Sequence, residues 1–204
     1  MNPKILTDRD AELPRAVEDV LELGGVLVFP TDTLYGIGGN PWDERAVARV
    51  RMLKQRPADR PFALLLPTLE AIGRVARLDE RVRTILARLL PGAYTFLLPA
   101  CEETPREAVA AGKVGIRVPD HPFFGSVMRS LDRPLFGTSV NRSGEPPLES
   151  IDAIIEQFGN VDLIVTATIP PSGASSAVID LTLHPPRALR GELPEPLRLS
   201  GEQR

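Results

Sequence analysis

Residues 24–61 constrain this chain most, because a buried apolar run, a glycine-rich polar segment, a helix and a cationic exit follow one another there without a break. Val26-Leu27-Val28-Phe29 is uninterrupted apolar sequence of strand length, the pattern of a strand covered on both faces. Pro30 ends it. Thr31-Asp32-Thr33-Leu34-Tyr35-Gly36-Ile37-Gly38-Gly39 comes next, hydroxyls and a carboxylate among glycines that let backbone bend tightly and approach a ligand closely. This segment predicts a loop that walls a small-molecule site. Asp43 is placed to cap a helix in which Ala46, Val47, Val50 and Leu53 recur at three and four, and the helix runs out at Lys54-Gln55-Arg56-Pro57. Pro57 disfavours helical geometry at Arg56. Lys54 and Arg56 either complement the helix dipole or present charge to an anion, and the local sequence leaves both open.

Elsewhere, periodicity and punctuation predict an alternation of helices and strands. A helix over 14–23 buries Ala16, Val17, Val20 and Leu21 and stops at Gly24. A strand over 62–66, a short helix over 69–75 capped by Thr68, and a helix over 80–90 ended by Pro91-Gly92 follow. Residues 94–98 read as a strand. In 113–119 the apolar Val114, Ile116 and Val118 alternate with Lys113, Gly115 and Arg117, so one face is buried and the other carries two cations, either to solvent or to a ligand. His121 sits in a proline-bracketed turn and reads as structural, ahead of a helix over 123–131. Residues 135–144 begin as a strand and end as a polar loop, in which Ser139 and Asn141 point the same way in extended chain and can converge on one ligand. A helix over 151–158, a strand over 161–165, a small polar loop at 172–176 and a strand over 177–181 complete the pattern. The alternation predicts an α/β fold class in one domain, its core over 14–192 and a proline-rich tail over 193–204.

Composition narrows the chemistry. A net charge of −3 gives no global pull toward nucleic acid or an anionic membrane, so any anion site has to be local. Cys101 is the sole cysteine and His121 and His184 the only histidines, which excludes disulfides and multi-Cys zinc sites by count. No signal peptide and no apolar stretch near the roughly 20 residues of a spanning helix is visible. A cytoplasmic protein with no membrane partner is expected.

The segments PTDTLYGIGG, KQRPADRPF, VGIRVPDHP, TSVNRSGEPP, SSAVIDL and LRGE resemble, in order and spacing, those of the YrdC/Sua5 family of threonylcarbamoyl-AMP synthases, over about 17–192. The resemblance implies an enzyme that joins L-threonine, bicarbonate and ATP into L-threonylcarbamoyladenylate and pyrophosphate, the precursor for N6-threonylcarbamoyladenosine in tRNA. It implies a twisted open mixed sheet with flanking helices around a large cationic cavity, ATP as substrate with Mg2+ on its phosphates, no metal site of protein side chains, and a separate tRNA threonylcarbamoyl transferase downstream. Direct tRNA binding is expected to be weak or absent.

Position by position, the resemblance gives Thr33, Arg117, Gly137 and Ser176 to threonine, with Arg117 suited to a bidentate carboxylate pair. Lys54 with Arg56, and Ser139 with Asn141, match paired signatures that surround the nucleotide phosphates and carry catalysis. Arg60, Lys113, Pro147 and Arg190 fall at further ATP-contacting positions. Arg60 stands where many members have Asn, Leu65 where many have His, and Pro147 where Ser is frequent, so a contact at Pro147 is through backbone or packing. Asp32 either assists through water or metal or caps its loop. Two rival readings remain. One is an RNA-binding module, against which stand the acidic balance and only 5% aromatics. The other is a paralogue that makes a carbamoyl-adenylate from another donor.

Overall fold

The apolar run at Phe29 is an inner strand of one mixed sheet in the computed structural model, which describes residues 3–198. In chain order the elements are β1 (Lys4–Thr7), α1 (Leu13–Glu22), β2 (Leu27–Phe29), β3 (Gly36–Gly39), α2 (Glu44–Lys54), β4 (Ala63–Leu65) and a 3₁₀ turn (Glu70–Arg74). Then come α3 (Glu80–Leu89), β5 (Tyr94–Pro99), a second 3₁₀ turn (Arg106–Ala108), β6 (Val109–Ala110) and β7 (Lys113–Arg117). A π-helical segment (Phe123–Met128) runs into α4 (Arg129–Leu131), followed by β8 (Leu135–Ser139), α5 (Ile151–Phe158), β9 (Leu163–Thr166), β10 (Ala177–Asp180), β11 (Arg187–Arg190) and α6 (Glu195–Arg198). The strand order is β1-β9-β2-β3-β8-β4-β7-β5-β10-β11, with β6 paired to β7.

Along this order the pairs are parallel (β1 with β9, β9 with β2), antiparallel (β2 with β3, β3 with β8, β8 with β4), parallel (β4 with β7), antiparallel (β7 with β5), parallel (β5 with β10) and antiparallel (β10 with β11). The period-two alternation of strands sorts side chains between two apolar layers. Leu27 and Phe29 of β2 join Leu13, Val17 and Leu21 of α1 and the rings of Phe123 and Phe124. Val28 instead joins Ala46, Val47 and Val50 of α2 and Phe158 of α5. Each such fully buried side chain contributes about 1.5–3 kcal/mol, so both faces of the sheet are sealed by its own helices.

Residues 36–39, expected as loop, form β3 in the middle of the sheet. Glycine is what allows it. A Cβ at Gly38 would sit 1.8 Å from the Phe136 carbonyl oxygen on β8, and one at Gly36 would lie 2.5 Å from the Phe29 ring. The polar wall therefore shrinks to residues 31–35, held between two strands. Asp43 caps α2 as expected, accepting the Arg45 and Ala46 amides at 2.9 and 3.4 Å. The far end of α2 turns at Gln55, in the left-handed region at φ 50, and this places Arg56 off the helix axis. The tail begins with α6, whose Leu197 is buried in the larger apolar layer; the rest of the expected tail, 199–204, lies outside the described residues.

Candidate functional site

A cavity of about 270 Å3 opens at the middle of the sheet, walled by Thr31 and residues 33–36, by β4, the end of β7 and the second half of β8, and by the segment entering β10. Thr33, Arg56, Arg117, Gly137, Ser139, Ser176 and Arg190, all expected site residues, line it. Thr31, Leu65 and Thr95 line it too.

Arg117 ends β7, one residue past the buried Ile116, and is only 9% exposed. The solvated-face alternative for this cation is thus excluded. Its Nη1 donates to Thr33 Oγ1 at 2.8 Å and its Nη2 to Asp32 Oδ1 at 2.5 Å, while its buried Nε has no hydrogen-bond partner. Burial pushes the guanidinium pKa down, Asp32 opposes that shift, and Arg190 adds to it. An arginine stays charged through such a shift. Thr31 Oγ1 donates to the Leu34 carbonyl at 2.7 Å, so the 3.0 Å contact between the two threonine hydroxyls runs from Thr33 to Thr31. Arg117, Thr33 and Thr31 thus form one directed chain, which polarises cooperatively. Asp32 pairs with Arg117 here, which favours neither of its earlier alternatives.

Ser176 is held from two sides. Its hydroxyl lies 2.9 Å from Thr95 Oγ1 and accepts Arg190 Nη2 at 3.1 Å, while Arg190 Nε donates to the Ser176 carbonyl at 2.9 Å. Gly137 keeps the floor flat, since a Cβ there would meet Leu65 Cδ1 at 2.6 Å. Arg56 donates through Nη2 to the Pro61 carbonyl at 2.7 Å, and its guanidinium lies 4.9 Å from the Phe62 ring centre. Its buried Nε is also unpartnered, and burial, then the charges of Arg51 and Arg60, push its pKa down. Three cations thus line one small cavity, and in Arg56 and Arg117 a buried Nε has no partner.

Other expected residues stand apart from the lining. Lys54 is 1% exposed, and its ammonium donates to the Ser139 carbonyl (2.5 Å), the Asn141 carbonyl (2.6 Å) and Asn141 Oδ1 (3.1 Å). Burial, with the Arg56 charge second, lowers its pKa to about 7. Ser139 and Asn141 converge on each other, not jointly on open space: Ser139 Oγ donates to Asn141 Oδ1 at 2.6 Å, and Asn141 Nδ2 donates to the Arg142 and Glu145 carbonyls. Lys113 pairs with the buried Asp180 at 2.7 Å. Arg60 is exposed and Pro147 half-buried, and neither lines the cavity. His121 has both ring nitrogens engaged, Nδ1 accepting the Phe123 amide and Nε2 lying 3.0 Å from the Ile169 carbonyl. Thr31 and Thr95 went unassigned in the sequence; the alternation of β5, which turns Thr95 away from the buried Phe96, was the available signal for the latter. Among the described residues no group of three or more His, Cys, Asp or Glu is placed to hold a metal ion.

A family model for the Sua5, YciO and YrdC proteins, described as "Telomere recombination", matches residues 19–191. The chain is 36% identical over 176 residues to the threonylcarbamoyl-AMP synthase of Pyrococcus abyssi, covering 84% of this chain and 52% of that relative. It therefore spans about half the length of that relative. It is likewise 36% identical over 149 residues to the enzyme of the same name from Escherichia coli, covering 71% of this chain and 78% of that one. The solved structure of P. abyssi Sua5 complexed with L-threonine superposes with a TM-score of 0.84 at 31% identity, over 93% of this chain and 57% of that one. Matched by the family model over most of its length, and sharing the fold of a solved member, the chain belongs to the Sua5/YciO/YrdC family.

Proposed function

We propose that this chain is a threonylcarbamoyl-AMP synthase, a nucleotidyltransferase that condenses L-threonine, bicarbonate and ATP into L-threonylcarbamoyladenylate and pyrophosphate. The observation that carries the reading is Arg117, a buried guanidinium bonded to the Thr33 hydroxyl in the wall of a cavity that Ser176, Arg56 and Arg190 also line. A relative with this fold is solved with L-threonine, which fits a carboxylate on Arg117 and an amino-acid hydroxyl among Thr33, Ser176 and the Gly137 floor.

The reaction crowds anions together, and that decides what the residues have to do. The neutral threonine amine adds to CO2 derived from bicarbonate and loses a proton, giving a carbamate. A carbamate oxygen then forms a bond to the α-phosphorus of ATP while the bond from that phosphorus to the bridging oxygen breaks, and pyrophosphate leaves. Two like charges 4 Å apart repel by about 4 kcal/mol at an effective dielectric of 20. Arg56, Arg117 and Arg190 offset repulsion of that order, with Arg117 on threonine and Arg56 and Arg190 toward the phosphates. Catalysis here is positioning and electrostatics, with Ser139 on the cavity wall and no covalent intermediate on the chain. Mg2+ would arrive on the ATP phosphates; the described residues offer it no three-ligand cluster, and no step above is routed through it. The product would pass to a separate transferase for tRNA modification, in the cytoplasm.

The test is pyrophosphate release from ATP by the purified chain, with threonine and bicarbonate each supplied or omitted. Release that requires both is expected. Release that needs neither, or that carbamoyl phosphate supports in place of bicarbonate and threonine, would overturn the assignment.

A further inference from the structure

The end of α2 carries a buried cation that the wall of the cavity covers, and its three ammonium donors meet three oxygens, all from Ser139 and Asn141. The backbone carbonyl of the same residue accepts the Ser143 amide at 2.8 Å. Residues 139, 141 and 143 are thus tied to one point, while the Asn141 amide group closes the turn on the carbonyls of Arg142 and Glu145. We propose that Lys54 is a positioning residue, which braces the turn over 139–145 from behind so that Ser139 faces the nucleotide, and that its ammonium does not contact the nucleotide itself.

Two observations favour the brace over a direct phosphate contact. With 1% exposure, the ammonium has no open path to the cavity that Arg56 and Ser139 line. Reaching a phosphate would also require giving up three hydrogen bonds and leaving the Ser139 and Asn141 carbonyls unpaired, which is the costly side of a hydrogen-bond exchange. A brace acts on affinity through the fraction of molecules whose turn is competent, so its loss weakens whatever binds the turn and spares what binds elsewhere. Threonine, seated on Arg117, lies elsewhere. The identity of the ligand rests on the synthase reading; the brace does not.

Lysine-selective acylation of the wild-type chain, read site by site by mass spectrometry, separates the alternatives with no added ligand, with ATP, and with inorganic pyrophosphate. Lys54 is expected to react at least about tenfold more slowly than Lys113, whose side chain is 31% exposed, in all three conditions. Free reaction of Lys54 without ligand, with protection only on adding ATP or pyrophosphate, would overturn the brace. In Lys54→Met, amide exchange over 139–145 is expected to quicken by about tenfold or more with β5 unchanged, and KM for ATP to rise by about tenfold with KM for threonine within about twofold. Lys54→Arg keeps the charge without the compact three-way geometry and is expected not to restore either value. Unchanged exchange in Lys54→Met, or recovery of the ATP KM in Lys54→Arg, would also overturn it. If no mixture gives turnover while protection and faster exchange are observed, the synthase reading fails and the brace stands.

Discussion

Replacing Arg117 by lysine tests the threonine seat without removing its charge. The arginine fork makes two bonds, Nη1 to Thr33 Oγ1 and Nη2 to Asp32 Oδ1, at 2.8 and 2.5 Å. A carboxylate presented to that fork gains two parallel donors, and a lysine ammonium supplies one point of contact. Loss of one charge-assisted hydrogen bond costs about 1.5–3 kcal/mol. At about 1.4 kcal/mol per decade this is a rise of about 10- to 150-fold in KM for threonine, with KM for ATP nearly unchanged. Stability should fall little, because Asp32, whose side chain is 14% exposed, keeps a cationic partner. Arg117→Met is the control for that point: it strands Asp32 beside an uncharged side chain and is expected to cost about 3–5 kcal/mol in urea unfolding. The assay is initial pyrophosphate release against threonine at saturating ATP and bicarbonate, on variants whose melting curves show them folded. A folded Arg117→Lys variant with KM for threonine within about twofold of wild type would refute the seat.

Two further outcomes follow from the geometry. Gly38→Ala drives a Cβ to within 1.8 Å of the Phe136 carbonyl, and since that oxygen is backbone in the neighbouring strand it cannot swing aside; a loss of about 3 kcal/mol or more in urea unfolding is expected, and a variant as stable as wild type would contradict the β3–β8 pairing. Burial, with the Arg56 charge second, pushes the Lys54 pKa down from an ordinary 10.5 to about 7, so below pH 7 both states are charged and the full cost of burying the ammonium is present. Between those two values the unfolded chain binds a proton that the folded one does not. Stability therefore rises with pH across that window, by up to about 1.4 kcal/mol per unit from this group. The rise is measured as the difference between wild type and Lys54→Met in urea midpoints at pH 6, 7, 8 and 9, and parallel curves would contradict it.

The elements that local chemistry determines were legible in the sequence. Asp43 caps α2 through its carboxylate, and the apolar runs at Phe29 and Leu64 are strands because they are covered on both faces. What escaped reading depends on partners distant in the chain. Glycine disfavours strands in general, and only the proximity of Phe136 and Phe29 makes it necessary at Gly38 and Gly36. Lys54 is a helix-terminal lysine by sequence, and its burial is dictated by oxygens more than 80 residues away. The same holds for Ser139 and Asn141, whose spacing does place both side chains on one side but gives no indication that they satisfy each other. Seven of the expected site residues do meet at one cavity, and the arginines among them supply its charge.

Product identity tests the central claim most directly. The purified chain is incubated with ATP, L-threonine and 13C-bicarbonate, quenched rapidly, and analysed by mass spectrometry for the adenylate. The account predicts an adenylate carrying both threonine and the labelled carbon, formed in step with pyrophosphate, and absent when either small substrate is withheld. Pyrophosphate formed without that labelled adenylate would contradict it.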